Sequence, residues 1–479
     1  MGIGGRLKSW IGDQRVEQLR DRLAELAEQS TEHHLRLAVT GLSQSGKTVF
    51  ISALVHHLLH AHRSGSLPFF DVATSGRIIG SRDLSDESGT PFPLQQAIAG
   101  LGREPPHWPA STRELSEVRL AIRYRRPPGL RRVLGESATL YLDIIDYPGE
   151  WLLDLPMLEL SFEQWCASQQ RLFEQEPRLS VASDWLTRLR QVDWHAPAEP
   201  ALLQELSGTY TRLLHRLRSD PYALSLLQPG RCVLPGELEG TELLQLFPLV
   251  LPSWPMGAIP DGSFLALLKS RYEQYRQQVV RPFYLRHFSR FDRQVVLVDC
   301  LKTLNRGEAC FEDMQRALNG ILQSFNYGRN GFLRRLFKPR IDRVLFASTK
   351  ADHVTANQHH NLDRFLELMI QDAQRDMGFE GIATRCMAIA SVRSTQAAEA
   401  QVDGQTLSCL RGWRKDSDEE IALFPGEVPT ELPRAEDWTQ ERFRFIDFAP
   451  RRLPQNELQP SHHIRLDQLL EYMTGDQFR

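Results

Sequence analysis

The stretch Gly41-Leu42-Ser43-Gln44-Ser45-Gly46-Lys47-Thr48 decides the fold of this chain. It matches the phosphate-binding pattern G-x-x-x-x-G-K-S/T at every fixed position. The apolar run over residues 34–40 predicts a strand before it, and residues 49–59 have helical spacing without Pro or Gly. A strand, a glycine-bearing turn and a helix start direct backbone N–H groups and the positive helix end at one point, which suits a di- or triphosphate.

This stretch supplies most of the predicted nucleotide contacts. Lys47 is expected to neutralise the β and γ phosphates and so to act in catalysis as well as in binding. The Thr48 hydroxyl is expected to ligate Mg²⁺. The residues predicted here to contact the nucleotide are Gly41, Ser43, Gln44, Ser45, Gly46, Lys47, Thr48 and Val49.

The second signal is Asp146, which is the last residue of another apolar run, over residues 138–146. A strand-terminal Asp beside a phosphate loop can hold Mg²⁺, directly or through water. Gly149 follows three residues later, and a glycine there lets its backbone N–H approach a γ-phosphate. The sequence therefore predicts that Asp146 supports the metal and that Gly149 senses the γ-phosphate.

A third signal, Thr349-Lys350-Ala351-Asp352, closes a predicted strand over residues 341–349. A carboxylate such as that of Asp352 accepts two hydrogen bonds from N1–H and the exocyclic amine of guanine, a pair that adenine does not offer. The stem of Lys350 is expected to lie over the base. Ala390 and Ser391 end the strand predicted over residues 385–391 and are expected to direct a backbone N–H at O6 of the base. Ser391 and Val392 are expected to contact the nucleotide.

These signals, in this order, resemble the GTPase class of phosphate-loop NTPases. The strings GLSQSGKT at 41–48, DYPGEW at 146–151 and TKAD at 349–352, with the long helical stretch after the second, are similar to the YcjX family of bacterial stress-associated GTPases. The resemblance implies a split GTPase domain with a helical insertion, bound GTP or GDP with Mg²⁺, and a link to envelope or heat stress.

Glu150 departs from the common pattern, because small GTPases usually have a water-orienting Gln after Asp-x-x-Gly. A carboxylate can also orient or deprotonate water, so Glu150 is a candidate catalytic residue. The alternative is that Glu150 only begins a helix, whose N-terminus favours an acidic residue.

The switch threonine that completes the Mg²⁺ site is not marked by a unique pattern. Its usual place just before the second strand indicates Thr112, as both a catalytic and a metal-binding residue, with Thr90 and Thr74 as alternatives. Arg113 and Arg103, in the same region, are candidates for an arginine finger supplied by the chain itself.

Strands that alternate with helices predict an α/β fold with a mostly parallel sheet covered on both faces, and the Leu- and Trp-rich stretch predicts an inserted all-helical domain. Residues 117–124 and 138–146 are expected to form a hairpin, and residues 65–109 a long functional or mobile loop. Five parts follow: 1–30, an N-terminal amphipathic helix; 31–151, the first part of the GTPase domain; 152–292, the helical domain; 293–400, the second part of the GTPase domain; 401–479, a C-terminal extension packing on it.

Composition and net charge indicate which classes of partner and which cell compartment to expect. The formal net charge of −3 over 479 residues gives no overall attraction to nucleic acid. Six cysteines without a C-x-x-C pair indicate reduced thiols, and no apolar run has transmembrane length, so a cytoplasmic protein is expected. The first helix and the arginine-rich hairpin are alternative points of peripheral contact with the inner membrane. A helix packed on the following domain and a solvated sheet edge are the favoured explanations of the two segments.

The sequence thus predicts a molecular switch that binds and hydrolyses GTP, with Mg²⁺ and an unknown protein effector. Two alternatives stay open: a phosphate-loop ATPase or small-molecule kinase, in which Asp352 is a surface residue, and a non-catalytic GTP-binding scaffold that presents its helical domain. A preference for guanine over adenine nucleotides would distinguish the switch from the ATPase or kinase. Hydrolysis of GTP would distinguish the switch from the scaffold.

Overall fold

A computed structural model describes residues 32–42, 45–63, 65, 67–85, 92–109, 114–129, 135–326, 341–402, 405–415, 417, 419–451 and 462–479. The predicted N-terminal helix lies outside these residues. So do the candidate site residues Ser43, Gln44, Thr90, Thr112 and Arg113.

A seven-stranded sheet forms the centre of the molecule, with the order β2-β3-β4-β1-β5-β6-β7. Strand β1 pairs in parallel with β4 and β5, and β6 and β7 continue the parallel part. Strands β3 and β2 run antiparallel at the other end. The strands are β1 Glu32–Gly41, β2 Ile78–Asp83, β3 Ser116–Arg125, β4 Ser137–Asp146, β5 Arg293–Val298, β6 Arg343–Ser348 and β7 Ala383–Ala388. The sheet is therefore mixed and mostly parallel, with helices, as an α/β fold requires.

The central strands are apolar because both faces of the sheet are covered. Val295 and Leu297 of β5 pack into one hydrophobic core, whereas Val296 and Val298 pack into another. Successive strand side chains point to opposite faces, so a run of four buried apolar residues serves two cores at once. One core contains α1, α3 and α15, and the other contains the helices between β4 and β5 together with α12 and α13. The helices are α1 Lys47–Leu59, α2 Asp71–Thr74, α3 Leu94–Gly102, α4 Phe162–Phe173, α5 Arg178–Val181, α6 Ser183–Arg190, α7 Pro200–Arg218, α8 Gly230–Val233, α9 Phe264–Tyr275, α10 Arg281–Arg286, α11 Cys300–Asn305, α12 Glu308–Asn326, α13 His359–Phe379, α14 Ala435–Thr439 and α15 Leu466–Thr474.

The five parallel strands end at one edge of the sheet. Val39 pairs with Asp146, Gly41 with Leu297, and Val298 with Ser348, so the loops after β1, β4, β5 and β6 leave the sheet side by side. The loop after β7 joins them because Ser348 pairs with Ala388. This register brings the sequence signals at 41–48, 146–149 and 349–352 to a common edge.

The stretch between β4 and β5, residues 147–292, is described throughout and contains helices with one isolated bridge, between Pro197 and Ser263, and no longer strand. It begins with a 3-10 helix over Gly149–Leu158. Stacked aromatic side chains fill its interior, for example Trp165 against Tyr272 at 5.1 Å between ring centroids. This interior is continuous with the core on one sheet face.

Residues 65–109 differ from the expected long loop, and that prediction is wrong for much of the stretch. They contain α2, β2 and α3, and β2 pairs antiparallel with β3. An edge strand needs few apolar side chains, and only Ile78 of β2 is buried, so the sequence pattern of β2 is weak.

The predicted hairpin is present as β3 and β4, but β3 is not the edge of the sheet because β2 covers it. Arg126 is buried and donates hydrogen bonds to the carbonyl oxygens of Gly135 and Ser137. The interpretation of the hairpin arginines as a solvated edge is therefore wrong for Arg126, which closes the turn. Arg123 and Arg125 are exposed.

The C-terminal part adds a second sheet and returns to the first. Strands β8 Thr395–Val402, β9 Gln405–Trp413 and β10 Glu420–Leu423 form an antiparallel sheet in the order β10-β9-β8. Helix α15 and Phe478 pack in the core beside α1, and the buried Arg293 of β5 donates two hydrogen bonds to Asp476.

All six cysteines lie in the described part of the chain, buried and without a disulfide partner. Within that part, no helix is both long and apolar enough to cross a membrane.

The buried His57 makes stability dependent on pH. Burial, with the neighbouring imidazoles of His463, His56, His462 and His60 adding to it, holds the pKa of His57 well below its usual range. The unfolded state therefore binds a proton that the folded state does not, and stability is lost as pH falls through the ordinary histidine pKa of about 6.5. We expect His57→Gln to reduce the slope of unfolding free energy between pH 7.5 and 5.5, measured by denaturant unfolding at each pH.

The control is His62→Gln, because His62 is exposed. We expect its slope to equal that of the wild type. A His57→Gln slope that also equals the wild type would show that the buried imidazole does not oppose protonation.

Candidate functional site

A cleft of about 720 Å³ opens at the carboxyl edge of the parallel strands. Its walls come from the loops after β1, β4, β6 and β7, from the end of α7, and from the C-terminal part. The lining includes Gly41, Leu42, Ser45, Gly46, Lys47, Thr48, Val49, Trp108, Pro148, Glu150, Arg218, Lys350, Asp352, Ser391, Val392, Ser394, Asp447 and Phe448. Residues separated by some three hundred positions in sequence thus share one cavity.

Gly46 makes the turn from β1 into α1. Its φ is 80° and its ψ is 24°, a left-handed conformation that favours glycine, and nothing lies within 4 Å of the position a Cβ would take. Helix α1 begins at the next residue, and the N–H groups of its first turn have no partner within the helix. The positive end of a helix thus faces the cleft, as an anion requires.

The backbone around Gly41 forms a close cradle. A Cβ on Gly41 would lie 2.1 Å from Ser45 Oγ, and a Cβ on Gly149 would lie 2.6 Å from the carbonyl oxygen of Gly41. Ser45 Oγ is buried and has no hydrogen-bond partner among the described residues. Because buried hydroxyl groups are normally satisfied, this oxygen fits a polar ligand in the cleft.

Asp146 lies directly behind Lys47 and accepts a hydrogen bond from its ammonium group. Ser116 Oγ is 3.5 Å from the other carboxylate oxygen. Both Asp146 and Thr48 are buried. Their hard oxygen atoms fit Mg²⁺, which takes one or two protein ligands together with phosphate oxygens and water. Accordingly, no group of three or more His, Cys, Asp or Glu in the described ranges is placed to hold a metal ion by itself.

Tyr147 and Gly149 fix the segment after β4. The Tyr147 ring is fully buried, stacks on Phe291 at 5.5 Å between centroids and accepts a hydrogen bond from Gln294. Burial holds the pKa of the Tyr147 hydroxyl well above its usual range. Tyr147 is therefore an anchor in the core rather than part of the cleft, and it holds Gly149 against Gly41.

Glu150 is paired with an arginine from the helical stretch. Arg218, the last residue of α7, donates from Nη2 to Glu150 Oε1 at 2.8 Å. The Glu150 side chain is 6% exposed and that of Arg218 27%. The pairing neutralises a carboxylate that would otherwise lie unpaired beside the predicted phosphate site.

Lys350 follows β6 in a left-handed conformation, with a φ of 61°. Its Nζ is 2.7 Å from Asp299 Oδ2 and 2.7 Å from Asp447 Oδ1. Although burial opposes the charge, the two carboxylates raise the pKa of Lys350. Burial also opposes the charge of Asp447, but the nearby Lys350 outweighs it and lowers the pKa of Asp447 to about 2. The ammonium is thus held charged at this end of the cleft.

Asp352 is buried and lines the cleft. Oδ2 accepts hydrogen bonds from the backbone N–H and the hydroxyl of Ser394, both at 2.7 Å. Oδ1 takes no part in these bonds. Ser391 and Val392 form the adjacent wall, and the backbone N–H of Ala390 is already bonded to Ile464.

The structure brings most of the predicted residues together. Those that line the cleft are Gly41, Ser45, Gly46, Lys47, Thr48, Val49, Glu150, Lys350, Asp352, Ser391 and Val392. Asp146 and Gly149 lie immediately behind them, against Lys47 and Gly41. Thr74 bonds to carbonyl groups of its own helix turn and does not line the cleft, and Arg103 is exposed at the end of α3 and does not line it either.

Several residues in or directly beside the cleft were not predicted. Asp299 follows the apolar strand β5, so the rule that selected Asp146 applies to it equally. Arg218, Ser394, Asp447 and Phe448 belong to no recognisable motif, because they reach the cleft only through the packing of the helical stretch and of the C-terminal part.

Comparison with known proteins shows the family of this chain. A family model described as "YcjX-like family, DUF463" matches residues 35–478. A protein of Escherichia coli (strain K12) named "Ras-like GTPase YcjX" is 40% identical over 475 residues, which cover 97% of this chain and 100% of that relative. A protein of Shewanella oneidensis with the same name is 42% identical over 486 residues, covering 97% and 99%.

The contact between Gly149 and Gly41 predicts the effect of a methyl group. Gly149→Ala would place Cβ 2.6 Å from the oxygen and 3.0 Å from the carbon of the Gly41 carbonyl group, both in the backbone. One of the two loops must move, so we expect the free energy of unfolding to fall by about 1–3 kcal/mol in urea unfolding.

Gly320→Ala is the matched control, because nothing lies within 4 Å of its Cβ position in α12. A methyl group there should leave stability unchanged or raise it by up to about 1 kcal/mol. Wild-type stability in Gly149→Ala would show that the two loops are not in close contact.

Proposed function

This chain belongs to the YcjX-like family, and on that premise we propose that it is a phosphate-loop GTPase that acts as a molecular switch. The proposed fold is a GTPase domain with residues 152–292 inserted as a helical domain. The names of the two relatives support guanine-nucleotide binding and GTP hydrolysis by analogy.

One observation carries the proposal: a single cleft is lined both by Gly46–Thr48 and by Lys350–Asp352. A nucleotide has an anionic end and an aromatic end, and the two segments match these ends in chemistry. An opening of about 720 Å³ accommodates a nucleoside triphosphate. Both ends of a nucleotide are thus matched by the two motifs that the sequence analysis identified.

At the phosphate end, the first turn of α1 and the Lys47 ammonium bind the β and γ phosphates. Thr48 and Asp146 would hold Mg²⁺, which when bound neutralises phosphate charge as the β–γ bridge breaks. Lys47 then exchanges its contact with Asp146 for a phosphate oxygen. Ser45 Oγ, which is buried without a partner in the described structure, gains one from the nucleotide.

At the base end, Asp352 Oδ1 accepts from guanine while Ser394 holds Oδ2. Lys350 is kept charged and in place by Asp299 and Asp447, so its stem can cover the ring. Phe448 and Val392 supply apolar contacts. Adenine would leave Asp352 without donors, which disfavours it by a factor of about 100 or more.

Hydrolysis transfers the γ-phosphoryl group to water. The water oxygen bonds to the γ-phosphorus, the bond from that phosphorus to the β–γ bridging oxygen breaks, and GDP leaves with the electron pair. The water proton passes to the released phosphate. Glu150 borders the cleft and is the proposed residue that orients this water. Thr112, outside the described residues, stays the predicted switch threonine.

The segment after Gly149 is the proposed route of switching. Trp151 donates to the carbonyl oxygen of Leu234 at 3.0 Å, and the Arg231 guanidinium lies 3.3 Å from the centroid of its ring. Asp154 accepts from the backbone N–H of Gly230 at 2.9 Å. Release of the γ-phosphate would free Gly149, and these contacts would transmit the change to the helical stretch.

The cellular setting is proposed on the sequence alone. A cytoplasmic location, contact of the first helix with the inner membrane, a task in a bacterial stress response and an unknown protein effector stay predictions. An effector would recognise the helical stretch, because that part changes with the nucleotide.

Asp352→Asn tests the choice of base. We expect the amide oxygen to take the two bonds from Ser394, which leaves the amide nitrogen facing the base as a donor. Guanine also presents donors there, so GDP affinity should fall by about 100-fold or more, and xanthosine diphosphate, with a carbonyl group in place of the amine, should bind better than GDP. Isothermal titration calorimetry with GDP, ADP and xanthosine diphosphate measures this.

Asp372→Asn serves as the control, because Asp372 is 96% exposed. Its affinities should equal those of the wild type. Equal affinity of the wild-type protein for GDP and ADP would contradict guanine recognition and favour an ATPase or kinase. GTP binding without phosphate release above the uncatalysed rate, measured in the same preparation, would favour a scaffold.

A further inference from the structure

Arg218 brings a cation from the helical stretch into the cleft. It is the last residue of α7, a helix of 19 residues that lies between β4 and β5 in the chain. The neighbouring Ser219 and Asp220 also line the cleft, so the end of the helix forms part of the wall. Among the described residues of the lining, Arg218 is the one arginine.

The guanidinium group of Arg218 has donors to spare. Of its five N–H groups, one contact is made from Nη2 to Glu150 at 2.8 Å. Its Nε is buried and has no hydrogen-bond partner in the described part of the chain. A buried unsatisfied donor on a charged group is costly, and the guanidinium side chain, 27% exposed, borders the cleft where an anionic ligand would meet it.

The other cations of the cleft are committed elsewhere. Lys350 is held between Asp299 and Asp447, and Lys415 lies 3.9 Å from Asp447, so both belong to the base end. Lys47 belongs to the phosphate loop itself. Arg218 is paired with Glu150, which follows Gly149 directly and therefore stands at the end of the cleft where the γ-phosphate is proposed to lie.

We propose that Arg218 is an arginine finger supplied by the chain itself, which contacts the γ-phosphoryl group during hydrolysis. This inference rests on the proposed function. In addition to orienting the water, Glu150 then positions the guanidinium from one side while the remaining N–H groups face the nucleotide. The planar fork of arginine binds phosphate oxygens in pairs, and it stabilises the charge that develops as the β–γ bridge breaks.

The pairing also explains the acidic residue after Asp-x-x-Gly. A lone carboxylate beside the γ-phosphate would repel it, but with Arg218 the pair has no net charge. The helical stretch is then part of the catalytic site, and any movement of α7 relative to the sheet withdraws the finger. Hydrolysis and the position of the helical stretch are thereby coupled through one side chain.

The test compares Arg218→Ala and Arg218→Lys with the wild-type full-length protein. We expect Arg218→Ala to lower the single-turnover rate of GTP hydrolysis by about 100-fold or more. GDP affinity, measured by calorimetry, should change by less than threefold, because the diphosphate does not reach Arg218. Arg218→Lys should recover little of the rate, since an ammonium group lacks the fork.

A binding measurement makes the test independent of turnover. GDP with Mg²⁺ and aluminium fluoride imitates the transferring phosphoryl group, so aluminium fluoride should tighten GDP binding to the wild-type protein and not to Arg218→Ala. Arg216→Ala is the control, because Arg216 is exposed two residues earlier on α7, and it should behave as the wild type.

Glu150→Ala should lower the rate more in the wild-type background than in Arg218→Ala, because part of its effect passes through the arginine. The double variant also removes the buried carboxylate that Arg218→Ala would leave unpaired, so it keeps the test valid if the single variant does not fold.

If Arg218→Ala hydrolyses GTP and responds to aluminium fluoride as the wild type does, the arginine finger is excluded while the GTPase proposal stands. If the wild-type protein binds no guanine nucleotide, both fail.

Discussion

The close contact between Gly149 and Gly41 is the constraint on which the site depends. It holds the loop after β4 against the loop after β1, with no room for a side chain between them. Because β1 and β4 are parallel neighbours, their carboxyl ends must leave the sheet together, and the glycines let the backbones meet. Asp146 is thereby placed behind Lys47, and Glu150 is placed at the cleft.

Four carboxylates in or beside the cleft are each paired with a cation. Asp146 faces Lys47, Glu150 faces Arg218, and Asp299 and Asp447 share Lys350. Such pairs keep buried charges tolerable, and they also hold the cations in place. In the proposed function, phosphates would compete for Lys47 and Arg218, whereas Lys350 is held more firmly by two partners. The proposed phosphate end would then be the responsive end of the cleft, and the proposed base end the rigid one.

The segment over Gly149–Leu158 links this chemistry to the helical stretch. Tyr147 anchors one end in the core, and Trp151 and Asp154 bond to residues 230–234. Arg218 returns from the same stretch to the cleft. The helical residues therefore contact the site twice, once through the backbone after Gly149 and once through a side chain, and neither contact is visible in the linear order of the chain.

The sequence by itself determined the local parts of this protein: the turn at Gly46, the strand-terminal Asp146, the Thr349–Asp352 string, the mostly parallel α/β sheet and the helical character of residues 152–292. These features depend on residues that lie a few positions apart in the chain, so the pattern of the sequence predicts them. Only the tertiary structure decided that β2 covers β3, that Arg218 pairs with Glu150, and that Asp447 holds Lys350. Those contacts join residues from 37 to 97 positions apart. The packing of separate helices and strands, which no local pattern encodes, brings them together.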